Sequence, residues 1–108
     1  MRQACFTLVL ILSLFIASAY AQTNENGKKL FNNKRLGNSS NERSCNTCHP
    51  AGKGIDSAKF AAMDTNDASL KGIVNKCIEG PLMGKALPTE SQEMNDIVQY
   101  IKSLGNQK

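Results

Sequence analysis

The chain has no tryptophan, a single histidine and aromatic side chains at only 6% of its 108 positions. His49 therefore stands alone, and only one cysteine, Cys77, follows the Cys45/Cys48 pair, so there is no second Cys or His pair downstream at the spacing of a zinc site. A glycine-rich phosphate loop, an ordered catalytic triad and a nucleic-acid module are all missing. Basic residues outnumber acidic ones by 13 to 9, but the lysines are scattered, which describes a solvated surface better than a nucleic-acid patch or a dedicated docking face. Long apolar runs are lacking too: the longest, residues 6–16 (FTLVLILSLFI), falls short of the about 20 residues that span a bilayer.

That short run has the anatomy of a secretory signal. Arg2 supplies a positive start, residues 6–16 the apolar stretch and Ala19-Tyr20-Ala21 a small-residue cleavage site. We read residues 1–21 as a cleaved signal peptide and residues 22–108 as the mature domain, exported to the periplasm with no stable membrane anchor after cleavage. Cys5 precedes the apolar run, so it is not placed to become a lipidated N-terminus and leaves with the signal. What remains is one small domain. At that size an apolar core alone is marginal, and a metal, cofactor or disulfide is the usual reinforcement.

Cys45-Asn46-Thr47-Cys48-His49 supplies a candidate for that reinforcement. Two thiols at this spacing can each add to a vinyl group of one haem, while the adjacent imidazole is held beside the ring as an iron ligand. A thioredoxin-type redox pair would need a βαβ context, and the residues that follow are glycine-rich and helical in pattern.

Around the motif, periodicity predicts helices and no substantial sheet. Residues 22–26 are polar and read as frayed; Gly27, Leu30 and Phe31 open a short amphipathic helix that stops at Leu36 and Gly37. Asn38 to Ser44 reads as a loop that delivers the chain to the motif, and residues 51–54 as another. Ser57 to Met63 can form one or two helical turns. Thr65, Asn66 and Asp67 offer caps for a helix whose Leu70, Ile73, Val74 and Cys77 recur at i, i+3, i+4 and i+7 until Gly80. Residues 80–88 carry two prolines and two glycines and must extend or turn. Thr89 with Gln92 forms a capping box for a last helix, with Met94, Ile97, Val98, Ile101 and Leu104 on one face and Gly105 at its end.

Over residues 22–108 this order resembles a class I monohaem cytochrome c: a Gly27…Phe31 helix, the Cys45–His49 motif, a middle helix, a Pro/Gly segment bearing Met83, and a closing helix with Ile97 and Tyr100. The resemblance implies an all-α fold of three to four helices wrapped around one covalently attached haem c, its iron held by His49 on the proximal side and by Met83 on the distal side. It also implies that the first and last helices meet through Gly27, Phe31 and Tyr100, and that Leu70, Ile73, Leu82, Leu87 and Ile97 surround the ring. Phe31 stands farther ahead of Cys45 than in compact members of the family, so the Asn38–Ser44 loop looks like an insertion. Cys77 is a leftover thiol, and Asn75-Lys76-Cys77 looks somewhat like the pattern of cytochrome subunits of sulfur-compound oxidation, where a cysteine thiolate replaces methionine on iron. Met94 and Met63 read as core packing, because methionine at helical spacing usually fills space.

Function follows from the ligands. Iron with two strong protein axial ligands has no vacant site for substrate, so the expectation is an electron carrier, not an enzyme, passing one electron at a time between redox partner proteins as a monomer or small subunit. The alternatives are a haem subunit of a sulfur-compound-oxidising enzyme with Cys77 as distal ligand, and a gas-binding haem protein with a weak or absent sixth ligand.

Overall fold

The computed structural model describes residues 18–62 and 68–105. All regular structure among them is helical, and there is no strand. The helices are α1 (residues 18–31), α2 (Cys45–Cys48), α3 (Ser57–Ala62), α4 (Ala68–Glu79) and α5 (Gln92–Leu104), with 3-10 turns at Leu36–Asn38 and Pro50–Gly52. None is long and apolar enough to cross a membrane. The apolar stretch 6–16, Met63 and the caps expected at 65–67 lie outside the described residues.

Three expectations about helix ends are corrected. Residues 22–26 are helical, not frayed, and α1 runs unbroken through the expected cleavage point. Its first part is held by local bonds, Thr23 Oγ1 to the Ala19 carbonyl and Gln22 Nε2 to Asn26 Oδ1, both 3.1 Å. Burial begins only at Gly27, so residues 18–21 add nothing to the core. Helix α1 also stops at Phe31, five residues before Leu36, which sits in its own 3-10 turn. At the other end of the chain the cap of α5 is Ser91, whose hydroxyl accepts from the Met94 amide at 3.1 Å; Thr89 lies two residues too early.

The core lies where α1, α4 and α5 meet. Phe31, Leu70, Ile78, Met94, Ile97 and Val98 are fully buried there. Each contributes about 2 kcal/mol of transfer free energy, so this contact outweighs exposed ion pairs such as Arg35–Glu42 in holding the fold. Helices α1 and α5 approach so closely that a Cβ on Gly27 would run into the Asp96 carbonyl and come within 2.5 Å of the Tyr100 Cβ. One turn later, Phe31 and Tyr100 meet edge to face with ring centroids 5.3 Å apart. The contact implied for Gly27, Phe31 and Tyr100 is thus present.

Helix α4 departs from the expected stripe. Its buried residues are Leu70, Lys71, Val74 and Ile78, whereas Ile73 is 44% exposed and Cys77 is exposed. Lys71 buries its stem and points its ammonium toward Glu90, 3.7 Å away. Ile73 and Cys77, four residues apart, face a cavity instead of the core. Helix α3 lies against α5.

Candidate functional site

The Cys45–His49 motif is a short rigid device. Ser44 caps α2: its hydroxyl accepts from the Thr47 amide at 3.3 Å, while Thr47 Oγ1 accepts from the Ser44 amide at 3.0 Å. That reciprocal box locks the four residues that carry both thiols into one helical turn. The two unspecified positions of the motif are therefore used. Thr47 closes the box, and Asn46 Oδ1 accepts from the Ala51 amide at 2.9 Å, which pulls the next turn back over the motif.

That turn orients the histidine. Ala51, Gly52 and Gly54 adopt left-handed φ values of +52°, +83° and +85°, which curl the chain tightly enough to return the Lys53 carbonyl to His49 Nδ1 at 3.0 Å. A carbonyl only accepts, so the proton of the neutral imidazole belongs on Nδ1 and the lone pair on Nε2. An imidazole oriented through Nδ1 in this way is the usual arrangement of a metal-ligating histidine. Gly54 also flanks the ring, since a Cβ placed there would touch Nδ1 at 3.5 Å.

Cys45, Cys48 and His49 line one cavity of about 260 Å3, together with Phe31, Leu70, Ile73, Val74, Leu82 and Ile101. Apolar side chains form most of its wall, and the half-exposed Ile73 and the exposed Cys48 and Cys77 open onto it. Leu87 and Ile97, expected around the same space, are buried in the core behind it and do not line it.

The two candidates for a distal sulfur are separated. Cys77 lines the cavity with the motif. Met83 does not: its side chain is 68% exposed and its backbone has a φ of +54°. Met94 is fully buried in the core, in keeping with its expected packing role.

All three described thiols are free. Burial, reinforced by the neighbouring Cys77 and Cys48, pushes the Cys45 thiol up to about 11, against the opposing effect of a backbone hydrogen bond. The Cys77 thiol is also raised, first by partial burial at the cavity wall and then by the nearby Cys48. Among the described residues no three His, Cys, Asp or Glu side chains converge closely enough to hold a metal ion by themselves. The thiols and the imidazole are instead spread along an apolar wall, a donor set suited to a flat apolar cofactor that brings its own metal and offers groups to which thiols can add.

Sequence reasoning missed Ser44 and the Lys53 carbonyl as parts of this site. Ser44-x-x-Thr47 was readable as a capping pattern; a main-chain carbonyl carries no side-chain signal. No family model matches the chain, and no curated protein or solved structure matches it.

Proposed function

We propose that this chain is a c-type cytochrome that carries single electrons between redox partner proteins in the periplasm, with one haem c attached at Cys45 and Cys48 and His49 as proximal ligand. The observation that carries the reading is the presence of both thiols and an imidazole with a free Nε2 lone pair on the wall of one apolar cavity. The site fits the group: Ile73 leaves apolar surface uncovered there, and the thiols are free to react.

Haem iron supplies a one-electron Fe(II)/Fe(III) couple when the cofactor is bound. The chain's own residues do the rest. Cys45 and Cys48 would hold the group through thioethers, each thiol supplying its sulfur to one carbon of a vinyl group and its proton to the other, with no net change of oxidation state. His49 presents Nε2, and the Lys53 carbonyl keeps the ring from turning. Leu70, Val74 and Ile101 exclude water from the cavity wall, which favours the less charged ferrous state. Gly27, Phe31 and Tyr100 hold α1 against α5 behind that wall.

A second reading, a haem subunit of a sulfur-compound-oxidising enzyme with Cys77 as distal ligand, is favoured by one observation: Cys77 lines the cavity and Met83 lies outside it. A thiolate ligand lowers the reduction potential relative to methionine, so the choice of sulfur decides which partners are reachable.

The test is the pyridine haemochrome assay followed by visible spectra in both oxidation states. Covalent haem in a low-spin ferric protein supports electron transfer. A methionine-to-iron band abolished in Met83→Leu assigns the carrier with Met83, whereas a Soret change in Cys77→Ser with no such band assigns the second reading. High-spin ferrous haem that takes up carbon monoxide would replace both with gas binding, and absence of covalent haem would remove the proposal.

A further inference from the structure

The segment that bears Met83 is pinned to the loop that leads into the haem motif. Two side chains of that loop do it. The Ser39 hydroxyl donates to the Leu82 carbonyl, and Asn41 Nδ2 donates to the Pro81 carbonyl at 2.7 Å. Ser39 is buried at 2% exposure, so its bond is shielded from competing water. The single Ser39 proton is shared between the Leu82 carbonyl and Asn41 Oδ1, which lies 3.0 Å from Ser39 Oγ and also accepts from the Arg43 amide at 3.2 Å. On the far side of Met83, the Lys85 amide donates to the Gly37 carbonyl at 2.6 Å. Residues on both sides of Met83 are thus tied to the stretch 37–41.

Met83 itself sits in the left-handed region, at a φ of +54°, with its side chain 68% exposed. A bulky residue holds that conformation only where its surroundings over-determine it. An exposed methionine gains nothing from packing in return, so the constraint comes from its own amide bond to the Gly80 carbonyl at 3.0 Å and from the bonds that hold its neighbours. Leu82, the residue before it, is buried against the cavity by the same arrangement.

We propose that Ser39 and Asn41 are positioning residues that clamp residues 81–82 and so hold the Met83 sulfur outside the cavity that the Cys45–His49 motif lines. The inference rests on the haem reading above and deepens it. The loop is then no neutral insertion: it decides which sulfur can approach the distal side of the site, and in the clamped state Met83 is not that sulfur.

The experiment compares the full-length, haem-loaded protein with Asn41→Asp and Ser39→Ala. Asn41→Asp keeps Oδ1, and with it the turn to Arg43, but replaces the amide donor to Pro81 with a carboxylate oxygen that repels that carbonyl. It therefore opens the clamp without dissolving the loop. Ser39→Ala removes the other bond and provides a second route if the first variant fails to fold. Oxidation of Met83 by dilute chloramine T is followed by peptide mass spectrometry against buried Met94 as internal standard, and the methionine-to-iron band is recorded on the same samples.

In wild type, Met83 is expected to oxidise much faster than Met94, with no methionine-to-iron band. In either variant Met83 oxidation should slow several-fold and the band should emerge, to be lost again on adding Met83→Leu. A wild-type protein that already shows the band with Met83 protected overturns the clamp, and so do folded variants in which neither readout moves. If the pyridine haemochrome assay finds no covalent haem, the haem reading fails. The oxidation rates then decide the clamp alone: fast wild-type oxidation that slows in Asn41→Asp supports it, and any other pattern overturns it.

Discussion

His49 Nδ1 lies 3.0 Å from the carbonyl oxygen of Lys53, four residues ahead of it, and the chain reaches that position only through a left-handed turn that ends at Gly54. The bond fixes both the ring's orientation and its tautomer, so in the proposed haem site the quality of His49 as a ligand would depend on this turn. Gly54→Ala should disturb it. The substitution costs about 1–2 kcal/mol for an alanine at the left-handed φ of +85°, and relieving that strain would shift the turn that carries the Lys53 carbonyl. A lower urea midpoint and a shifted reduction potential of the haem-loaded protein are the expected results; an unchanged potential would mean that the Lys53 carbonyl does not tune the imidazole.

The contact between α1 and α5 makes a second prediction. Phe31 is 1% exposed, meets Tyr100 at 5.3 Å and also lines the cavity, so it serves packing and site at once. Phe31→Ala should destabilise by about 3–5 kcal/mol, and a double-mutant cycle with Tyr100→Ala should leave a coupling of about 1 kcal/mol from the edge-to-face pair. Urea unfolding of the four proteins measures both quantities. Strict additivity would show that the rings only share a neighbourhood.

Much of this was legible in the sequence, for identifiable reasons. That Cys45, Cys48 and His49 share one site was readable because they lie within five residues of each other, and α5 was readable because its apolar residues repeat along one face. Residues 22–26 misled because none of them is fully buried: α1 continues through them on local bonds, leaving no apolar stripe to see. Ile73 and Cys77 matched a core pattern because a cavity wall and a core both call for apolar helical spacing. Met83 was singled out by its interval to Tyr100, a one-dimensional measure. Its actual position depends on Ser39 and Asn41, about forty residues away in the chain, and no local pattern reports such a bond.

Alkaline pH should weaken the haem-free chain through Cys45. Its thiol is pushed up to about 11 by burial and by its neighbours Cys77 and Cys48. An unfolded cysteine loses its proton near about 8.5, so between these values the unfolded chain binds fewer protons than the folded one and stability falls as pH rises. The effect is full below the unfolded value and is worth about 2–3 kcal/mol before it is lost. Urea midpoints at pH 8 and pH 10.5 should drop further in wild type than in Cys45→Ser. Equal drops would show that the Cys45 thiol ionises in the folded chain as it does in the unfolded one.

Asn75 ties α4 to the Pro/Gly segment from the side opposite the loop. Its Nδ2 donates to the Leu87 carbonyl at 2.9 Å and its Oδ1 accepts from the Leu87 amide at 2.8 Å, so one side chain stands in for a strand partner. Leu87 is buried, and losing both bonds would leave its backbone groups without those partners. Asn75→Ala should cost about 1–3 kcal/mol in urea unfolding, at about 0.5–1.5 kcal/mol for each bond. Asn75→Asp separates the two bonds, since the carboxylate still accepts from the amide but cannot donate to the carbonyl. Hydrogen exchange at the Leu87 amide should therefore accelerate in Asn75→Ala and stay slow in Asn75→Asp, while both variants lose stability. Acceleration in both would mean that the Leu87 carbonyl, not its amide, anchors residues 85–88 to α4.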